Sequence, residues 1–104
     1  MQIKWTKHAL SRLDRSLNYC HREFGENVAT KFYNKVKNYV SLLADNPRLG
    51  KIEPLLISKH SHEYRSLLIH PHFRLVYYIN KEKERIVITN LWDVRQELSK
   101  LKQI

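Results

Sequence analysis

Apolar positions along this chain keep one period through the first half and another through the second. Ala9, Leu10, Leu13, Leu17, Cys20 and Phe24 recur at intervals of three and four. That is the stripe of an amphipathic helix over Lys7–Phe24. Thr6 suits its N-cap, and Gly25 suits the residue that stops it. A second stripe, Val28, Phe32, Val36, Val40 and Leu43, runs from Glu26 to about Ala44. Glu26 places an acid in the first turn, where the helix dipole favours it. Lys31, Lys35 and Lys37 occupy the opposite face. Each helix is expected to be ~27 Å long at the rise of an α-helix. With one Gly between them, the two fold back as an antiparallel hairpin.

After Gly50 the period shortens to two. Residues 64–69, Phe73–Asn80 and Arg85–Asp93 are rich in β-branched and aromatic residues and read as three strands. His70-Pro71-His72 turns the first into the second, since Pro cannot serve a central ladder. Lys81-Glu82-Lys83-Glu84 is a charged hairpin loop. Such short connections make neighbours antiparallel. At the start, Met1 to Trp5 alternates like a short edge strand protected by Lys4. Asp45-Asn46-Pro47 ends the second helix. The connection over residues 51–62, KIEPLLISKHSH, is irregular; Leu55, Leu56 and Ile57 tuck it against the core or form a short strand. Residues 96–103 read as a short helix or tail, anchored only by Leu98 and Leu101. The expected fold class is α+β, ordered β-α-α-β-β-β. Its N-terminal helical hairpin packs on a small, mainly antiparallel four-stranded sheet, and residues 1–104 form a single domain.

Composition adds a charge argument. Lys and Arg number 19 against 10 acids, giving +9 at pH 7. That predicts attraction to polyanions: nucleic acid, an acidic protein or an anionic surface. At 42% hydrophobic residues, disorder is excluded. The single Cys20 excludes an internal disulfide framework and a Cys-based zinc site, and its helical position makes it a core thiol. No signal region or membrane-length apolar run is evident, so a cytoplasmic protein without membrane contact is expected. On the strand from Phe73, the set Arg74, Val76 and Tyr78 is apolar and basic together. A solvent-facing sheet surface is ordinarily polar, so this one is expected to be covered by something anionic.

His60-Ser61-His62 and His70-Pro71-His72 offer four imidazoles to a metal. The spacing is not that of a structural zinc site, and Glu63 is the only carboxylate near them, so no metal is expected. No cofactor is expected either. Trp92 reads as a core residue, a partner contact, or a platform on which a base stacks.

The helical hairpin, the turn DNPRLG (45–50), the strand pair YRSLLIHPHFRLVYYI (64–79) and the ending LWDVRQ (91–96) together resemble the RelE/ParE family of type II toxin–antitoxin toxins. The resemblance covers nearly the whole chain. It implies a growth-inhibiting toxin and a cognate antitoxin that wraps and blocks it. It implies one of two targets: mRNA in the ribosomal A site, which RelE-type members cut, or DNA gyrase, which ParE-type members poison.

The same resemblance nominates residues. Arg74, in FRLVYY, matches the RelE-type Arg that contacts the scissile phosphate, a task suited to a two-donor guanidinium. Arg65 lies on a strand where such toxins carry basic residues, though an ion pair with Glu63 or Asp93 is its structural alternative. Arg95 matches a C-terminal basic position. His72 stands two residues from Arg74 as a tentative proton carrier; His70, Glu63 and Tyr78 are the other candidates. Arg65, Arg74, Tyr78, Trp92 and Arg95 form the expected target-binding set. RelE-type nucleases place a Tyr or His near the C-terminus, and here no aromatic residue follows Trp92. That departure tips the expectation toward a ParE-like toxin. A ribosome-dependent endoribonuclease is the alternative within the family, and a non-toxic basic binding module is the alternative outside it.

Overall fold

The computed structural model describes residues 1–56 and 62–95. In chain order these form β1 (Gln2–Trp5), α1 (Lys7–Phe24), α2 (Glu26–Asp45), β2 (Lys51–Ile52), a 3-10 turn (Pro54–Leu56), β3 (Tyr64–His70), β4 (Phe73–Asn80) and β5 (Arg85–Asp93). The Thr6 hydroxyl accepts from the Ala9 N–H at 3.1 Å and caps α1. Gly25 ends it at φ 92°, a conformation a side chain would strain. Asn46 closes α2 by donating its N–H to the carbonyls of Leu42 and Leu43.

The sheet runs β1-β5-β4-β3-β2, with β1 parallel to β5 and every other pair antiparallel. The hairpin covers one face of it. Leu13 of α1 and Phe32, Val36 and Leu43 of α2 pack on Ile69, Leu75, Tyr77, Ile86, Ile88 and Leu91. Each such side chain contributes about 1.5–3 kcal/mol by leaving water.

The other face carries a smaller core of Leu56, Tyr64, Val76 and Trp92. One irregularity creates it. Val76 pairs with Asn90 but Tyr77 pairs with Ile88, so β5 carries Thr89 as an extra residue. Ile86 and Ile88 face the helices before the bulge, and Leu91 does so after it. Trp92 is thereby turned to the face away from the helices.

Three expectations change. The sheet has a fifth strand, and it lies at Lys51–Ile52, pairing with Ser66 and Arg65. The stretch around Leu55 and Leu56 forms the 3-10 turn instead, because Pro54 can donate nothing to a ladder. Second, Leu10, Phe24 and Val28 of the apolar stripes are exposed. Phe24 and Val28 flank Gly25 at the hairpin tip, past the last core residues that each helix supplies. Third, part of the face expected to await an anionic cover is taken up by the chain's own Leu56, which is wholly buried. Ile57 and the C-terminal segment 96–104 lie outside the described residues.

Candidate functional site

Arg74 stands on β4 directly across from Trp92 on β5, on the outer face. Both line a groove of about 590 Å3 that also takes in Lys51, Glu53, Ser66 and Pro71. The Arg74 guanidinium donates to the Ser66 hydroxyl at 3.3 Å, and that hydroxyl donates to a Glu53 carboxylate oxygen at 3.0 Å. Glu53 is only 6% exposed, which is rare for an acid. Its backbone N–H bonds the Tyr64 carbonyl, continuing the β2–β3 pairing and fixing the side chain beneath Ser66. Trp92 is 5% exposed, and its indole N–H has no hydrogen-bond partner among the described residues.

Glu53 was missed in the sequence. KIEP reads as loop there, and its acid looks like any solvated one. Only the pairing of Lys51 with Ser66 shows that it goes inside. Ser66, alternating with Arg65 on β3, was a weak signal of the same register.

Arg65 is not part of this groove. It neighbours Ser66 on β3, so its side chain leaves by the opposite face, opposite Tyr77. Its guanidinium donates to the Gly50 carbonyl at 2.8 Å and to Glu63 at 3.0 Å, with the side chain 12% exposed. The Tyr77 hydroxyl sits close by. It accepts from the Gly50 N–H and donates to the Pro47 carbonyl, each at 2.8 Å. Burial raises the Tyr77 pKa against the opposing pull of the Gly50 bond and Arg65, so the phenol stays protonated. A side chain at Gly50 would meet the Ser66 carbonyl and the Tyr77 ring at 2.8 Å. Arg65 and Tyr77 thus pin the turn that follows α2.

His72 and Arg95 line a second cavity, of about 480 Å3, at the hairpin tip on the helix side. Lys31, Lys35 and His70 join them around Phe24, Phe32 and Phe73. Arg95 grips Asp93 through Nε at 3.0 Å and Nη2 at 2.8 Å. That contact holds the Asp93 carboxyl below its usual range and raises the Arg95 pKa. His70 is lowered by burial and by the charges of Lys35, His72 and Arg95.

Tyr78 lies toward the far end of β4 from Arg74. It stacks on His62 at 3.9 Å and meets the Tyr64 ring edge-on at 5.4 Å. The residues nominated together therefore divide among four places: Arg74 with Trp92, Arg65 with the turn, His72 with Arg95, and Tyr78 with His62. His62 does not converge with His70 and His72 either. His62 belongs to the outer face, His70 packs on Phe32 beneath the helices, and His60 lies outside the described residues. Among the described residues no three His, Cys, Asp or Glu side chains group as metal ligands.

Comparison with known proteins adds a family. A family model described as the ParE toxin of the type II toxin–antitoxin system, parDE, matches residues 3–98. A chain of the chromosomal ParDE system from P. aeruginosa superposes with a TM-score of 0.71 at 22% identity, covering 90% of this chain and 96% of that one. The YoeB/ParE toxin from Agrobacterium tumefaciens gives 0.60 at 18% identity, covering 89% and 98%. A chain of the intact E. coli RelBE toxin–antitoxin complex gives 0.56 at 17% identity, covering 88% and 94%. Among curated proteins the sequence finds no match.

Proposed function

Because the chain belongs to the ParE toxin family of type II toxin–antitoxin systems, we propose that it arrests growth by binding DNA gyrase and is held silent by a cognate antitoxin. One observation carries the choice of a binding poison over a nuclease. Among the described residues, the groove that presents Arg74 holds no His and no Tyr. His72, the nominated proton carrier, lines the other cavity with Arg95. Cutting RNA through 2′-hydroxyl attack needs a proton carrier beside the phosphate. In this reading Arg74 is the target-facing cation, and Arg65 is a structural residue.

A ribosome-dependent mRNA endonuclease is the second reading, and Glu53 favours it. Its carboxylate lines the Arg74 groove, bonded to Ser66, and brings an acid–base group to a groove with no His among the described residues. The two readings part on one experiment. Induced expression is followed by parallel assays of mRNA cleavage and gyrase supercoiling. Loss of supercoiling with intact mRNA is expected; cleaved mRNA with normal supercoiling would move the assignment to the endonuclease. Normal growth at confirmed soluble expression would remove both and leave a basic binding module.

The antitoxin reading draws on the exposed apolar surface of the hairpin. Leu10, Tyr33 and Val40 line a hollow beside β1, where Lys37 also lies. An amphipathic helix fits such a surface, with an acid toward Lys37. We place the protein in the cytoplasm, where ribosomes and gyrase are, as one domain including residues 96–104. No helix among the described residues is long and apolar enough to cross a membrane.

A further inference from the structure

We propose that the cavity at the hairpin tip is a binding site for a small amphiphilic anion, one acidic head on an aromatic body. The floor is aromatic. Phe32 and Phe73 stand 5.1 Å apart, and the His70 ring meets Phe32 edge-on at 6.2 Å. Phe24 is 59% exposed and Val28 44%, so the apolar lining is open to a ligand.

The rim is cationic and converges. Lys31 and Lys35 come from α2, His70 ends β3, His72 lies in the β3–β4 turn, and Arg95 follows β5. Lys35, His70, His72 and Arg95 all line this one cavity, and after burial the other three each add to the lowering of the His70 pKa. From α1 come Tyr19, Cys20 and Phe24, none of them charged. No carboxylate lines the cavity among the described residues; Asp93, just outside, is held by Arg95. An anion at the convergence point relieves this repulsion. His70 is also set to donate to it. Its Nδ1 accepts the His72 backbone N–H at 3.2 Å, so the neutral ring carries its proton on Nε2.

A small ligand fits better than a protein face. The volume of about 480 Å3 falls in the range of small-molecule sites. Its charge meets at a point, as a single head group requires, where a protein partner would use charges spread over roughly 800 Å2. The hollow beside β1 makes the contrast: it is apolar, with Lys37 as its single charge.

The test uses naphthalene sulfonate as probe, followed by calorimetry and by amide shifts in NMR. Naphthol, which lacks the charge, and inorganic phosphate, which lacks the body, are the controls. The variants are Lys31→Ala/Lys35→Ala and Phe24→Ser, all at exposed positions, with melting curves confirming the fold. Saturable binding at one site is expected, with shifts at His70, His72 and Phe73. Each control and each variant should bind about tenfold more weakly, the effect of one lost charge-assisted bond or one lost ring contact. Arg74→Ala should bind as wild type. Equal binding of phosphate, equal binding of naphthol, or no loss in either variant would overturn the proposal. So would binding of an acidic amphipathic peptide without any of the probe, which would give the cavity to a protein. Self-association abolished by Phe24→Ser, again without probe binding, would give it to a second copy of this chain.

Discussion

Arg74 and Trp92 face each other across the β4–β5 ladder on the side away from the helices, and the extra residue Thr89 is what puts Trp92 there. Without the bulge, residue 92 would share the inner face with Ile86 and Ile88. The guanidinium would then lose the indole as its wall, and the outer core its largest member.

Arg74 is accordingly expected to serve activity more than stability. It is half-buried, and its bond to Ser66 is long at 3.3 Å. Arg74→Ala should change stability by about 0.5 kcal/mol and abolish growth arrest. Arg74→Lys separates charge from geometry, because Lys keeps only the former. Melting curves and growth curves of the three proteins check this. A large drop in the melting temperature for Arg74→Ala would make the residue structural.

Arg65→Ala should do the reverse. It removes donors from the Gly50 carbonyl and from Glu63. A loss of about 1–3 kcal/mol is expected, with growth arrest unchanged per folded molecule. Denaturant titration gives the first quantity and expression-normalised growth the second. Full stability together with lost arrest would place Arg65 in the target surface.

Tyr77→Phe should also cost about 1–3 kcal/mol, since it strands the buried Gly50 N–H. Gly50→Ala should cost a similar amount for a different reason, overpacking against the Ser66 carbonyl. The double variant should cost less than the sum, because both act on one contact. Chemical denaturation of the three variants measures the coupling; strict additivity would contradict the clamp.

Acid should weaken the fold early. His8 is lowered by burial, then by Arg12 and Arg15; His70 is lowered by burial, then by Lys35, His72 and Arg95. Both therefore favour the neutral ring when folded. Below their ordinary 6.5 the unfolded chain binds more protons, so stability is full above that value and falls as pH drops past it. Asp93 adds a second, lower window: its lowered carboxyl contributes above 3.8 and loses that contribution beneath it. Melting temperatures at about pH 7.5 and about pH 5.5 should differ, with the lower value in acid. His70→Gln should shrink the difference. A flat profile would mean that neither ring is held neutral.

Much of the fold could be read from residues that answer to local rules. Phe73–Asn80 and Arg85–Asp93 have the bounds their alternation marks, and Thr6 and Gly25 sit at the helix ends their chemistry suits. What escaped was set by pairing at a distance. Lys51–Ile52 is too short to show a period, so its strand exists only because β3 is beside it. Thr89 gives no local sign of being an extra residue. The candidate site was legible residue by residue but not as a place. Alternation on β3 separates Arg65 from Ser66, and the turn carries His72 away from Arg74. Glu53 is linked to Arg74 through the Ser66 hydroxyl, thirteen positions further along the chain.

The parallel pairing of β1 with β5 also bears on how the protein is made. Gln2 lies beside Arg85 and Trp5 beside Ile88, so β1 waits for β5, which comes far along the chain. On the ribosome the helical hairpin emerges early, with its apolar stripe uncovered until the sheet arrives. Such distant closure is slow relative to helix formation. An interrupted chain lacking β5 has neither Trp92 nor the wall it gives Arg74. The groove therefore cannot exist until β5 has been made and paired with β4.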